Sequence, residues 1–265
     1  MILKDRFRLV EFQLNYVLAR TEPRKIMAAL QSLPHDLPEA YKEVFKRIEM
    51  QGADRKDLVV KIISWIRYAE RTLTMDELRE AIATEPGDTD LDPDYLLAPG
   101  FIVEISESLI SHDESSGYVG FSHFTVYEFL NSLESPSLFS PVDIAKVCLT
   151  CLGFEVFESP CESAEVVEEM LQIHPFCRYV AEYWGSHTRA ADEDSEVQKL
   201  VLSVFVSESK RWWALTMKRY VMSGAEDMSD NKGQTLMHII AKNGLALTCK
   251  FALELPLDRC VLLSY

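Results

Sequence analysis

Apolar residues recur at intervals of three and four along almost the whole 265-residue chain, a period that dictates amphipathic helices packed side by side. Phe7, Val10, Leu14 and Leu18 share one helix face. Pro23 starts a second run with Ile26, Leu30 and Leu33, which Leu33-Pro34 closes. Asp36-Leu37-Pro38-Glu39 reads as an N-cap with an acid three residues on, opening a stripe of Tyr41, Val44, Phe45 and Ile48. Gly52 ends that helix. Asp54 is the expected cap of the next, which carries Leu58, Ile62, Trp65, Ile66 and Ala69.

The period breaks between residues 74 and 122. Thr74-Met75-Asp76-Glu77 is a capping box opening a short helix through Leu78, Ala81 and Ile82. Glu85-Pro86-Gly87-Asp88 stops it, and Asp92-Pro93 starts another short helix. Ser108–Ser111 and Tyr118–Phe121 then flank the polar, glycine-ended turn Asp113-Glu114-Ser115-Ser116-Gly117, predicting a β-hairpin near residues 108–122. A helix through Val126, Phe129, Leu130 and Leu133 follows. Short helices ending in one strand pair predict a winged helix, a helix-turn-helix relative.

From Ser140-Pro141 the helical period returns. Val142, Ala145, Leu149 and Leu152 form one stripe; Val166, Val167, Met170 and Leu171 form the next, after a break from Pro160 to Ser163. Pro175 opens an aromatic helix with Phe176, Tyr179, Val180, Tyr183 and Trp184. Ala191–Asp194 separates it from Val197, Leu200, Val201, Val204 and Phe205, and Trp212-Trp213 begin the last of this set. An aromatic stripe at helical spacing reads as core. After Gly224, Asn231–Ala241 with Asn243-Gly244 approximates an ankyrin repeat, with Leu236 where proline is usual and Met237 where leucine is usual. About one repeat fits before Tyr265, and a single repeat cannot bury its own faces.

Charge is split along the chain. Residues 1–80 carry 15 basic and 13 acidic groups, residues 81–209 carry 4 and 24, and residues 210–265 carry 8 and 5, for a net of −15 overall. A middle with a net of −20 repels a phosphate backbone, so nucleic acid is not an expected partner; it reads as solvated helix faces or an acidic docking surface. No window approaches the roughly 20 apolar residues of a membrane span, and Met1–Arg6 lacks a signal-peptide core. A soluble, cytoplasmic chain without membrane contact is expected. The six cysteines are Cys148, Cys151, Cys161, Cys177, Cys249 and Cys260. Cys148-x-x-Cys151 lies in an apolar helical run without a second pair to complete a zinc site, so buried core thiols are the reading preferred to metal or redox chemistry.

The sequence contains no Gly-x4-Gly-Lys-Ser/Thr, Gly-x-Gly-x-x-Gly, Gly-x-Ser-x-Gly or His-Glu-x-x-His motif. No enzyme activity, metal or cofactor is expected from motifs. A cysteine hydrolase using Cys177 or Cys161 with His174 or His187 is disfavoured, because Cys177 and His187 stand ten apart on one predicted helix, about 15 Å by helical rise. A DNA-binding winged helix is disfavoured too. Its recognition helix is expected near Thr74–Ala83, where Asp76, Glu77 and Glu80 offset Arg79.

Phe7–Leu14, Ala29–Pro34 with Tyr41, and Ile63–Ile66 with Arg71–Ala81 together resemble the region that follows the nucleotide-binding core of NACHT proteins, signal-transducing STAND NTPases, most closely the fungal NACHT–ankyrin group. Phe121–Leu130 is similar to the end of the winged-helix signature shared with GPI inositol-deacylase, and Pro175–Trp184 with His187 resembles the helical segment before the ankyrin array. The resemblance implies a mainly α fold in four parts: a helical remnant (1–50), a winged helix with one small β-hairpin (51–134), a second helical domain (135–228) and an incomplete ankyrin repeat (229–265). It implies a non-catalytic regulatory and scaffold role with protein partners, through self-association or a NACHT core. The phosphate loop of such a core would precede residue 1. The family's glycine-led turn before the Phe-Arg segment is replaced by Lys4-Asp5-Arg6. At the position of His123 the family's histidine reaches the β-phosphate of ADP; the other reading is that His123 caps the following helix or packs on the hairpin.

Overall fold

Side-chain caps set most helix starts in the computed structural model, which describes residues 2–132, 140–159, 163–224 and 234–254, with side chains from residue 9 onward. Among these residues are fourteen α-helices and three short strands. Pro160, Cys161, Cys260, Leu133 and Asn231-Lys232-Gly233 lie outside the described residues, as does the side chain of Phe7. Helices α1 (Ile2–Leu18), α2 (Pro23–Gln31) and α3 (Leu37–Met50) come first. Asp36 caps α3 by accepting the Glu39 N–H at 2.8 Å. Helix α4 (Ala53–Tyr68) differs from the expected start: Gly52 is its N-cap at φ 109°, and Asp54 sits inside the first turn. There an acid still favours the helix dipole without bonding as a cap.

The next elements are β1 (Leu73–Thr74), α5 (Met75–Ala83), a 3-10 turn at Pro93–Tyr95, α6 (Pro99–Ile105), β2 (Ile110–His112) and β3 (Tyr118–Phe121). The order from α4 to β3 is that of a winged helix. The capping box is formed in both directions, Glu77 N–H to Thr74 Oγ1 and Thr74 N–H to the Glu77 carboxylate. The hairpin is present in the antiparallel register Ile110 to Phe121 and His112 to Val119. The sheet has a third strand that the sequence reading lacked: β1 pairs antiparallel with β3, Leu73 opposite Val119, giving the order β1-β3-β2. Two residues are too short to show a period of two, and only the partner defines them as a strand. The second helix of the helix-turn-helix pair, the one that reads DNA in that motif, is α6 and not the Thr74–Ala83 segment. Its sequence, Pro-Gly-Phe-Ile-Val-Glu-Ile, carries no basic residue.

Helix α7 (Phe124–Ser132) follows the wing, then α8 (Pro141–Leu152), a 3-10 turn at Glu155–Glu158, α9 (Ala164–Ile173), α10 (Phe176–Ala190), α11 (Ser195–Phe205) and α12 (Glu208–Ser223). Ser140 and Asp143 box the start of α8; Ser163, Asp194 and Ser207 cap α9, α11 and α12. Helix α10 packs on α8, α12, α5 and α9, so it lies at the centre of the helical half. One continuous apolar core runs from Phe12 to Ala252. At the amino end the stripe chosen by periodicity faces outward: Val10, Leu14 and Leu18 are 49, 55 and 75 % exposed, whereas Phe12 is buried edge-on against the Tyr41 ring at 5.1 Å.

The last elements are the antiparallel pair α13 (Leu236–Lys242) and α14 (Ala246–Glu254). Thr235 Oγ1 lies 2.8 Å from His238 Nδ1, and the His238 N–H reaches Thr235 Oγ1 at 3.4 Å. Gly244, at φ 70°, turns the chain between the helices. The pair is anchored by Asp192, in the α10–α11 corner. Its buried carboxylate accepts the N–H groups of Leu247 at 2.8 Å and Thr248 at 3.0 Å, and the Thr248 hydroxyl at 2.5 Å. A carboxylate at a helix start satisfies donors that have no intrahelical partner and complements the dipole. Replacing Asp192 with Ala should therefore cost about 2–3 kcal/mol and raise amide hydrogen exchange across 246–254, while Asp192→Asn keeps an acceptor and should cost less. Unchanged exchange in Asp192→Ala would show that apolar packing alone holds α14.

Candidate functional site

His123 stands between β3 and the first turn of α7. Its Nδ1 accepts the Thr125 N–H at 3.4 Å and lies 2.8 Å from Thr125 Oγ1. Thr125 Oγ1 is in turn 2.7 Å from the Tyr41 hydroxyl, 84 residues away on α3. Because a backbone N–H points at Nδ1, that nitrogen is the acceptor and the neutral ring carries its proton on Nε2. The consistent proton order is Tyr41 O–H to Thr125 oxygen and Thr125 O–H to His123 Nδ1. The His123 ring also lies 4.5 Å from the Phe124 ring. Here His123 caps α7 through Nδ1.

Beside this relay is an open cavity of about 590 Å³ between α1, α3 and α7, lined by Leu9, His35, Asp36, Tyr41, Thr125 and Glu128 among others. Thr125 and Tyr41 reach its wall; His123 is not part of it. The start of α3 faces the same cavity through Asp36, Leu37 and Pro38. The sequence reading identified His123 and missed Tyr41 and Thr125 as its partners. The His-x-Thr spacing carried half of that signal. The contact to α3 is made only by the fold.

The cysteine constellations resolve differently from their spacing. Cys148 and Cys151 are buried on α8, and it is Cys177 on α10 that meets Cys151, with sulfurs 3.2 Å apart. Burial pushes the Cys148 thiol up, and the hydrogen bond with Cys177 together with burial does so for Cys151. His187 does not pair with Cys177. Its Nε2 is 2.6 Å from the Tyr179 hydroxyl, whose oxygen accepts the Glu70 N–H at 3.0 Å. Nδ1 of His174 is buried without a partner. Among the described residues no group of three or more His, Cys, Asp or Glu stands in metal-holding geometry.

A second polar cluster joins the winged helix to α10. The buried Glu80 carboxylate accepts the Phe176 N–H at 3.0 Å, at the first turn of α10. Arg71 forks onto Glu77 at 2.7 and 2.8 Å, with its guanidinium 5.2 Å from the Tyr179 ring centre and 3.7 Å from Glu182. Helix α5, with Met75, Leu78, Ala81 and Ile82 buried, thus packs on both α4 and α10.

Residues 47–140 match the family described as GPI inositol-deacylase, winged helix domain. The span fits the observed topology, from the last turn of α3 to the start of α8. This segment is a GPI inositol-deacylase-like winged-helix domain. No curated protein and no solved structure matches the chain. No described helix is long and apolar enough to cross a membrane.

The winged-helix domain meets α10 through groups whose titration opposes. Burial pushes the Glu80 carboxyl up to about 7 from 4.5, and burial pushes His187 down to about 4 from 6.5. Folded Glu80 binds more protons than unfolded between its two values, so its contribution is complete below pH 4.5 and lost as pH rises through 7. Folded His187 binds fewer, so its contribution is complete above pH 6.5 and lost as pH falls through 4. Each slope is at most about 1.4 kcal/mol per pH unit. Between pH 7 and pH 5, urea unfolding midpoints should diverge: Glu80→Gln should lose stability relative to wild type on acidification, and His187→Gln should gain it. Parallel profiles would refute both assignments.

Proposed function

We propose that the chain is a non-catalytic regulatory and scaffold module of the NACHT–ankyrin type, in which the winged-helix domain is a joint between helical parts and not a reader of DNA. The observation that carries this reading is the packing of α5 on α10. Half of the helix-turn-helix pair is used up in the Glu80–Phe176 and Arg71–Glu77–Tyr179 contacts with α10. The other half, α6, has no cation to offer a phosphate backbone.

The helix pair α13–α14 supports the ankyrin part of the reading. Its Thr235–His238 bond and the Gly244 turn are the devices an ankyrin repeat uses to start and end its first helix. Protein partners fit a chain with a net charge of −15 and a repeat-like helix pair, α13 and α14. A NACHT core, or a second copy of this chain, is the proposed class of partner.

A second reading, a nucleotide-sensing half whose phosphate-binding core lies in another segment, is favoured by one detail. His123 stands at the start of α7 with its Nδ1 bonded to Thr125, the position at which the histidine of the resembled family meets a phosphate. A single such bond, about 1–3 kcal/mol, cannot hold ADP at micromolar concentration. Calorimetric titration of the purified chain with Mg-ADP should accordingly give no saturable heat, and incubation with Mg-ATP no phosphate release. Micromolar ADP binding that disappears in His123→Ala would replace the scaffold reading with an intact phosphate site.

A further inference from the structure

Among the described residues three thiols lie buried in the helical half, and two of them touch. Cys151 on α8 and Cys177 on α10 have their sulfurs 3.2 Å apart, on two helices that pack against each other along their length. That separation is a non-bonded contact, about 1.2 Å longer than a disulfide bond. No third ligand completes a metal site there among the described residues. Both side chains are shut off from solvent, at 1 % and 0 % exposure.

The winged-helix domain packs beside them. Cys177 directly follows Phe176, whose N–H is held by Glu80 of α5 and whose ring stands edge-on to Trp65 of α4 at 5.2 Å. The Glu80 charge also acts on Cys151 and helps to keep that thiol protonated. A protonated, buried thiol is a poor nucleophile. The dithiol is therefore inert while α5 is seated, and lifting α5 from α10 removes both the cover and the carboxylate.

We infer that Cys151 and Cys177 are a latent two-electron redox pair, closed to a disulfide by peroxide when the winged-helix domain lifts from α10. One thiolate attacks a peroxide oxygen and the O–O bond breaks, giving a sulfenic acid and, after protonation, water. The second thiol attacks the sulfenic sulfur; the S–S bond forms, the S–O bond breaks, and a second water leaves. Two thiols and one hydrogen peroxide thus give one disulfide and two waters, the sulfurs oxidised and the peroxide reduced. The product ties α8 to α10 across 26 residues of chain and constrains the unfolded state.

The full chain treated with hydrogen peroxide, quenched by alkylation and mapped by mass spectrometry tests this without a variant. The expected result is a loss of 2 Da and one linked pair, Cys151 with Cys177, with Cys148 still alkylated only after unfolding. The rate should rise at least tenfold in Glu80→Ala, which loosens the cover. The oxidised protein should show a higher urea midpoint that dithiothreitol returns to its starting value. Pairing spread over all six cysteines, a pair made with Cys148, or oxidation no faster in Glu80→Ala would overturn the proposal. So would a lower midpoint after oxidation, which would make the bond a lesion.

Discussion

The structure depends on one buried contact surface, that of α10. Phe176, Tyr179, Val180 and Trp184 turn one face of this helix inward, and Trp65 from the winged-helix domain stands edge-on to both Phe176 and Tyr179, at 5.2 and 6.2 Å. Rings in such edge-to-face arrangements add about 0.5–1.5 kcal/mol each to the area they bury. The placement has a cost. The Trp65 indole N–H is buried without a hydrogen-bond partner, which opposes folding by about 1–3 kcal/mol. Apolar burial of the largest side chain in the seam outweighs it.

Within that seam the polar groups select a geometry. Glu80, Tyr179 and His187 are nearly enclosed, and each finds a partner across an element boundary or a helical turn. A buried carboxylate bonded to one backbone N–H contributes little net stability, because desolvation offsets the bond. It does penalise every register of α5 on α10 in which that N–H is not met. Gly185 acts in the same sense on the opposite side. A Cβ there would press on the Asn243 side chain at the end of α13, which would have to move.

Elements that stabilise themselves locally were legible in the sequence. The capping box at Thr74, the helix start at Ser140-Pro141, the Asp36 and Asp92 caps, the wing turn closed by Gly117 and the aromatic stripe of α10 follow from residues within one or two turns of each other. Features that depend on distant partners were not. Strand β1 exists only because Leu73 and Thr74 lie beside Val119 and Tyr118. Val10, Leu14 and Leu18 have the periodicity of a buried face, yet α1 turns Phe12 to Tyr41 instead, since one large ring fills that gap. At the candidate site His123 was readable from its motif. Tyr41 joined it only through α3, by way of Thr125, and the pairing of Cys151 with Cys177 displaced the nearer Cys148.

The division of charge along the sequence has its explanation in the same contacts. Cations from the amino-terminal part meet acids of the middle: Arg47 with Glu107 at 3.2 Å, Lys61 with Glu85 at 2.5 Å and Arg71 with Glu182 at 3.7 Å. From the carboxyl-terminal part, Lys210 meets Glu158 at 2.8 Å. Each pair is partly solvated and worth at most about 1 kcal/mol. Their common direction, ends to middle, nonetheless makes the parts complementary and opposes other arrangements in which like charges would meet. Each such pair cancels one of the acidic charges of the middle segment where it forms.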